Sequence, residues 1–298
     1  MKRSLYALLW VGWLIVEGSA LGQGAAAEAK GTLCVMSYNL RFASPNPPNA
    51  WPVRRPLVKE VIQSISPDVI GTQEGVYHQL KDIATDLPGY AWLGVGRDDG
   101  REAGEFMAVF YRTNRLQPLS TNHYWLSDTP EVAGSTTWGN QNRRMVTTVK
   151  FRDLNRQSEF YFLNTHFDHA IQLAREKSAD LVRQRVQQLG VSLPIVLVGD
   201  FNAAAGTNKA YLRLTRDEFF KDTWLLARER RNEGIATFNG FEGIRQQGPR
   251  IDWILLRGDA VVEKAEIVTF ARGNQFPSDH FPVVAWLQNL SPARDDRK

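Results

Sequence analysis

Six short apolar runs in this chain each meet a polar or titratable residue at one end, and this pattern constrains the fold more than any other feature. The clearest is Pro194-Ile195-Val196-Leu197-Val198-Gly199-Asp200-Phe201-Asn202, which has the length and continuous apolarity of a buried strand and delivers an acid and an amide at its tip. Leu33 to Asn39 ends on an amide, Asp68 to Glu74 on an acid, and the run from Glu159 ends in Asn164-Thr165-His166. Arg250-Ile251-Asp252 opens the run through Leu256, and Ser278-Asp279-His280 stands just before Pro282 to Leu287. Strands alternating with helices in a layered α/β fold gather their tips at one edge, so these polar ends are expected to converge.

The intervening segments fit that layering. Leu57, Val58, Val61, Ile62 and Ile65 recur at helical spacing from Trp51-Pro52 until Pro67, and Leu181, Val182, Val186 and Leu189 form the inward face of a helix over 171–189 that stops at Gly190. A helix is also expected over 77–87 and strands over 90–95, 106–111, 145–151, 159–164, 261–270 and 282–287, with a hairpin turn at 153–157. Residues 209–229 read as irregular helices, and 112–144 as a long, poorly patterned loop of the kind that often carries function.

The N-terminus carries Lys2 and Arg3, then an apolar run from Leu5 to Val16 and small residues. That run is short for a bilayer of about 30 Å and suits the apolar segment of a secretory signal peptide, with cleavage expected after Ala20, Ala27 or Ala29; an uncleaved anchor is the alternative. Residues 1–30 are therefore set apart as a leader, 31–290 as a single domain with no linker or repeat, and 291–298 as a disordered tail. Export to the periplasm or the medium follows as an expectation. Cys34 is the single cysteine, so no internal disulfide is available. Removing the leader takes three basic and two acidic residues from the chain's formal charge of +4, leaving +3. This balance admits an anionic substrate without demanding a nucleic acid. Nothing in the sequence calls for an obligate protein partner, and a monomer is expected.

In chain order the polar strand ends are Asn39, Glu74, His166, Asp200 with Asn202, Asp252, and Asp279 with His280. The ordered pieces, Asn after the first strand, Gln-Glu, Asn-Thr-His, Gly-Asp-Phe-Asn, Arg-Ile-Asp and Ser-Asp-His, resemble the endonuclease/exonuclease/phosphatase superfamily of DNase I-like phosphoesterases over residues 33–287. The segment from Trp51 to Arg54 and the short loops look closer to its deadenylase-like and secreted bacterial branches than to the pancreatic-type nucleases. The resemblance implies a four-layer α/β sandwich, two mixed sheets packed face to face between helices. It also implies a hydrolase acting on phosphate ester bonds with Mg²⁺, or Mn²⁺ as substitute.

The residue types suit that chemistry. Phosphoryl transfer to water needs a hard cation, an activated water and donors aimed at the developing charge. Glu74 and Asp279 are the oxygen ligands expected for the metal, with Asn39 adding a carbonyl or orienting a metal-bound water. Asp200 is the candidate base, Asn202 a neutral donor to the phosphate, His166 and His280 further donors, and Asp252 the orienter of His280. Arg143, Arg144, His169 and Arg175 are candidates for touching substrate. His166, Asp168 and His169 partly match a zinc-hydrolase signature, but Asn164 stands where its first His belongs. Both phosphodiester and phosphomonoester chemistry remain open. The substrate classes are nucleic acid or nucleotide, lipid head group (as in a sphingomyelinase) and inositol phosphate; a non-catalytic binding protein on the same scaffold is the alternative of another class.

Overall fold

The computed structural model describes residues 31–190 and 192–292; the expected leader and residues 293–298 of the expected tail lie outside the described residues. In chain order the elements are β1 (Leu33–Asn39), α1 (Trp51–Ile65), β2 (Val69–Gln73), β3 (Gly75–Val76), α2 (Tyr77–Asp86), β4 (Tyr90–Leu93), β5 (Glu105–Phe106) and β6 (Val109–Arg112). They continue with β7 (Leu116–Trp125), β8 (Met145–Asp153), β9 (Ser158–His166), α3 (Gln172–Gln188), β10 (Ile195–Asp200), α4 (Lys209–Thr215) and β11 (Lys221–Asp222). The chain closes with α5 (Thr223–Leu226), β12 (Glu229–Arg231), β13 (Asp252–Arg257), β14 (Asp259–Ile267) and β15 (Val283–Ser291).

Two mixed sheets result, ordered β12-β14-β15-β1-β2-β6-β4 and β11-β13-β10-β9-β8-β7. Val35, Val69, Val109 and Ala285 of the first sheet share one apolar cluster with Val149, Phe162, Val198 and Ile254 of the second. On the outer faces α1 and α2 pack Val58, Val61, Ile62 and Leu80 against the first sheet, while α3 and α4 pack Val182, Val186, Tyr211 and Leu214 against the second. This is the expected four-layer sandwich. Helix α1 enters through Pro52 in its first turn, where a missing N–H costs nothing, and ends at Ser66 in the left-handed conformation.

Gly71 explains how closely the sheets approach. A Cβ there would lie 2.3 Å from Val198 Cγ2 and 2.8 Å from the Asn164 amide, so no side chain fits between the layers at that point. Asn164 crosses the same gap with its polar groups satisfied. Its amide donates to the carbonyls of Thr72 and Ala108 at 2.8 Å each, and its oxygen accepts from Gln73 Nε2 at 2.7 Å.

Three expectations change. The strand anticipated over 106–111 is broken into β5 and β6. The segment 112–144 is not all loop, because β7 occupies ten of its residues at the edge of the second sheet. Ser291 belongs to β15 rather than to the tail.

Candidate active site

Strand pairing assembles the polar ends. β1 runs parallel to β2 with Asn39 opposite Gln73, and β9 runs parallel to β10 with His166 opposite Asp200. β13 is antiparallel to β10, so its first residue, Asp252, falls opposite Asp200. β15 pairs antiparallel with β1, bringing the segment before it, Ser278 to His280, to the same edge; Ser278 Oγ donates to the Asn39 carbonyl at 2.6 Å. Glu74, Asp200, Asn202, His166, Asp279 and His280 line one pocket of about 490 Å³.

Three pocket residues, Arg41, Glu74 and Asn202, hold φ of +53°, +62° and +48°, a left-handed conformation that costs a non-glycine residue energy and that clusters at functional sites. Each lies one or two residues past a strand end, where the chain must turn sharply to leave the sheet edge.

His280 is gripped from behind. Its Nδ1 lies 2.9 Å from Asp252 Oδ2, and its Nε2 lies 3.6 Å from Asp200 Oδ2. Burial alone would favour the neutral ring, but Asp252 and Asp200 outweigh it and raise the imidazole to about 10, so it carries a proton at neutral pH. Burial and the nearby Asp252 push Asp200 up to about 7 against the opposing pull of His280. His166 behaves oppositely: burial, then Arg144 and Arg97, hold it well below its ordinary value and keep it neutral. Asp252 thus sits directly behind His280, and Asp200 lies opposite the ring's other nitrogen.

Two amides are placed differently from expectation. Asn39 turns its oxygen to the backbone N–H of Arg41 at 2.9 Å and gives its amino group to Glu74 Oε1 and Asp200 Oδ2, each at 3.0 Å. It aligns two carboxylates instead of presenting a carbonyl to a cation. Asn202 Nδ2 lies 3.1 Å from the Phe167 carbonyl and 3.0 Å from His166 Nε2, so its donors are spent within the protein. The neutral His166 accepts at Nε2 and thereby carries its hydrogen on Nδ1, which has no partner among the described residues.

Arg143 and Arg175 do not reach the site. Arg143 donates to the Gly134 carbonyl at 2.9 Å and lies 3.5 Å from Asp98, while Arg175 donates to the Asp168 carbonyl and to Gln172 Oε1, each at 2.8 Å. Arg144 and His169 do line the pocket. Arg41, Phe42, Arg97, Glu105, Asn142 and Phe238 line it too, and the sequence reading missed them. They come from loops and short strands without a periodic signal; the charged, Gly-containing stretch 97–104 was the available hint.

A hard divalent cation fits the donors present. Among the described residues, Glu74 Oε2 has only a 3.3 Å contact from the Phe42 N–H and a 3.7 Å approach from Arg41, and Asp279 Oδ2 has only Arg41 at 3.6 Å. Both carboxylates therefore face the pocket with lone pairs to spare, and Arg41 is the positive group between them. Asn39, Arg41 and His280 outweigh burial at Glu74 and leave it below its usual value, as suits a metal ligand, whereas burial raises Asp279. Oxygen donors that come within 4.8 Å of one another are also offered by Glu74 and Asp200, with His166 beside them.

Comparison with known proteins agrees with this geometry. A mannosyl-6-phosphatase of Bacteroides thetaiotaomicron superposes with a TM-score of 0.81 at 35% identity, covering 86% of this chain and 99% of that one. An uncharacterized protein of Acanthamoeba polyphaga mimivirus is 31% identical over 160 residues, 51% of this chain and 59% of that protein. Nocturnin of Drosophila melanogaster is 24% identical over 294 residues, covering 83% of this chain and 44% of that protein, so this chain spans about half the length of these last two relatives. The sequence profile of the Endonuclease/Exonuclease/phosphatase family matches residues 36–280, and this chain belongs to that family of divalent-metal-dependent hydrolases of phosphate esters.

Proposed function

We propose that this protein is a Mg²⁺-dependent phosphoesterase that releases the terminal phosphate of a small phosphorylated polyol or sugar by in-line attack of water. The carrying observation is the convergence of Glu74, Asp279, Asp200 and His280, the last backed by the buried Asp252, on one pocket of about 490 Å³, a volume that suits a small ligand better than a polymer. The 35% identical mannosyl-6-phosphatase supports the sugar phosphate.

Glu74 and Asp279 would hold the metal, which when bound neutralises the phosphoryl oxygens. His280, its ring fixed by Asp252, donates Nε2–H to a phosphoryl oxygen as charge develops. Asp200, aligned by Asn39 and by the Asn202 N–H at 2.9 Å, orients the attacking water and takes its proton. Asn202 holds His166, so the neutral ring lines the pocket in one tautomer. We place this activity outside the cytoplasm, a reading supported by the leader-like residues 2–20.

The test is phosphate release from mannose 6-phosphate, glucose 6-phosphate and inositol monophosphate, beside RNA, single-stranded DNA and sphingomyelin, with Mg²⁺, Mn²⁺ or EDTA. Turnover of at least one sugar or polyol phosphate, lost in EDTA, is the expected result. Cleavage of only the nucleic acids or the lipid would overturn the substrate, and undiminished turnover in EDTA the mechanism.

A further inference from the structure

Two arginines of this chain are buried near the site, and they are treated in opposite ways. Arg54 places all its donors: Nε on the Asn49 carbonyl, Nη1 on those of Leu40 and Pro277, and Nη2 on those of Arg41 and Phe42, at distances of 2.7 to 3.1 Å. Arg144, 4% exposed on the pocket wall, does not. Among the described residues its Nε and Nη1 meet no acceptor, and its Nη2 has only a 3.4 Å contact with His169 Nδ1. The nearest acid is Asp168, whose Oδ2 stays 3.9 Å from Nε, beyond hydrogen-bond reach, while its Oδ1 accepts from the backbone N–H groups of Ala170 and Ile171. The neighbouring Arg97 gives Nη1 to Glu105, although its buried Nε also meets no acceptor among the described residues.

A buried cation with open donors is costly unless a ligand completes it, and a guanidinium is shaped for the oxygens of phosphate. An anionic acceptor in the pocket would fill these donors and offset the buried charge at once. A phosphomonoester dianion offers three non-bridging oxygens and two charges, whereas a diester offers two oxygens and one charge. We infer that Arg144 is the specificity-determining contact for a terminal phosphate, its free N–H groups taking non-bridging oxygens that a diester lacks or buries under its second ester group. This inference rests on the phosphoesterase reading above and assigns the monoester preference to one side chain.

A matched pair of esters tests it. p-Nitrophenyl phosphate and bis(p-nitrophenyl) phosphate carry the same leaving group, and kcat/KM is measured on both with Mg²⁺ for the wild type, Arg144→Gln, Arg144→Lys and Arg143→Gln. The wild type is expected to favour the monoester; if it cleaves neither ester, the phosphoesterase reading itself fails. Arg144→Gln should lower the monoester value by about 10²-fold, the usual scale for a lost charge-stabilising donor, and the diester value by less than about threefold. Arg143→Gln, outside the pocket, should leave both unchanged. Arg144→Lys keeps the buried charge should Gln perturb the fold, and is expected to lie between wild type and Gln on the monoester alone. Added methylguanidinium should restore monoester cleavage to Arg144→Ala. Equal losses on the two esters, or none on the monoester, would overturn the inference.

Discussion

At the scale of single residues, the site divides its labour between two histidines in opposite states. His280 is charged because two carboxylates face it, and His166 is neutral because burial and two guanidinia surround it. Loss of a positioned donor or base costs about 10²- to 10³-fold in rate, so His280→Ala and Asp200→Asn are each expected to lower kcat by at least that factor with little change in melting temperature. Asp252→Asn should cost less alone and almost nothing added to His280→Ala, because groups acting as a unit are non-additive; independent multiplication of the two effects in the double mutant would remove Asp252 from its role as orienter. The identities of these residues were legible, since each occupies a strand tip within a motif. The allegiance of the amides was not. Asn39 gives its amino group to Asp200, 161 positions away, and no local pattern encodes which side of an amide faces the solvent.

Elements show the same limit. β1, β2 and β10 were legible because they are buried on both faces and read as mainly apolar runs, and β9 through its apolar stretch from Phe160 to Leu163. β7 was not, because it is an edge strand whose middle, from Gln117 to Asn122, is largely exposed and carries little hydrophobic signal. It holds a testable group. Burial lowers His123 to about 4 from 6.5, so the fold keeps it neutral while the unfolded chain binds a proton near its ordinary value. The folded pKa is the depressed one for a base: stability is full above pH 6.5 and falls as pH drops toward 4, by at most about 1.4 kcal/mol per pH unit. His123→Gln should flatten that part of a stability-versus-pH curve from urea titrations; an unchanged slope would show that the ring titrates normally in the fold. Helix α1 carries the other hidden element-level feature, since Arg54 is fully buried while its neighbour Arg55 is partly exposed. Because it satisfies five carbonyls, Arg54→Met should destabilise by about 3 kcal/mol or more by denaturant titration, and a loss below about 1 kcal/mol would mean that those carbonyls find other partners.

For the whole molecule, the consequence of gathering strand ends from two sheets is that acids from distant parts of the chain face one another. Glu74 follows β2, Asp279 precedes β15, and Asp200 ends β10, with Arg41 as the positive group near the first two. A divalent cation between Glu74 and Asp279 would tie the end of β2 to the entry of β15 and relieve the repulsion that helps raise Asp279. A ligand that binds only the folded state stabilises it by RT ln(1 + [L]/Kd), about 2.7 kcal/mol at a hundredfold excess over Kd. Millimolar Mg²⁺ should therefore raise the melting temperature by several degrees over EDTA, without any substrate present. Glu74→Gln and Asp279→Asn should each lose most of that shift, and Asp279→Asn should melt no lower than wild type in EDTA, since it removes a charge that burial and Glu74 disfavour. Asp153→Asn, which breaks the buried pair with Arg115 at 2.9 Å far along the second sheet, should lower stability in both conditions and keep the Mg²⁺ shift intact. Identical melting of the wild type in Mg²⁺ and in EDTA would mean that these carboxylates do not form the metal site, and the cation would have to be sought instead at Glu74 and Asp200 beside His166.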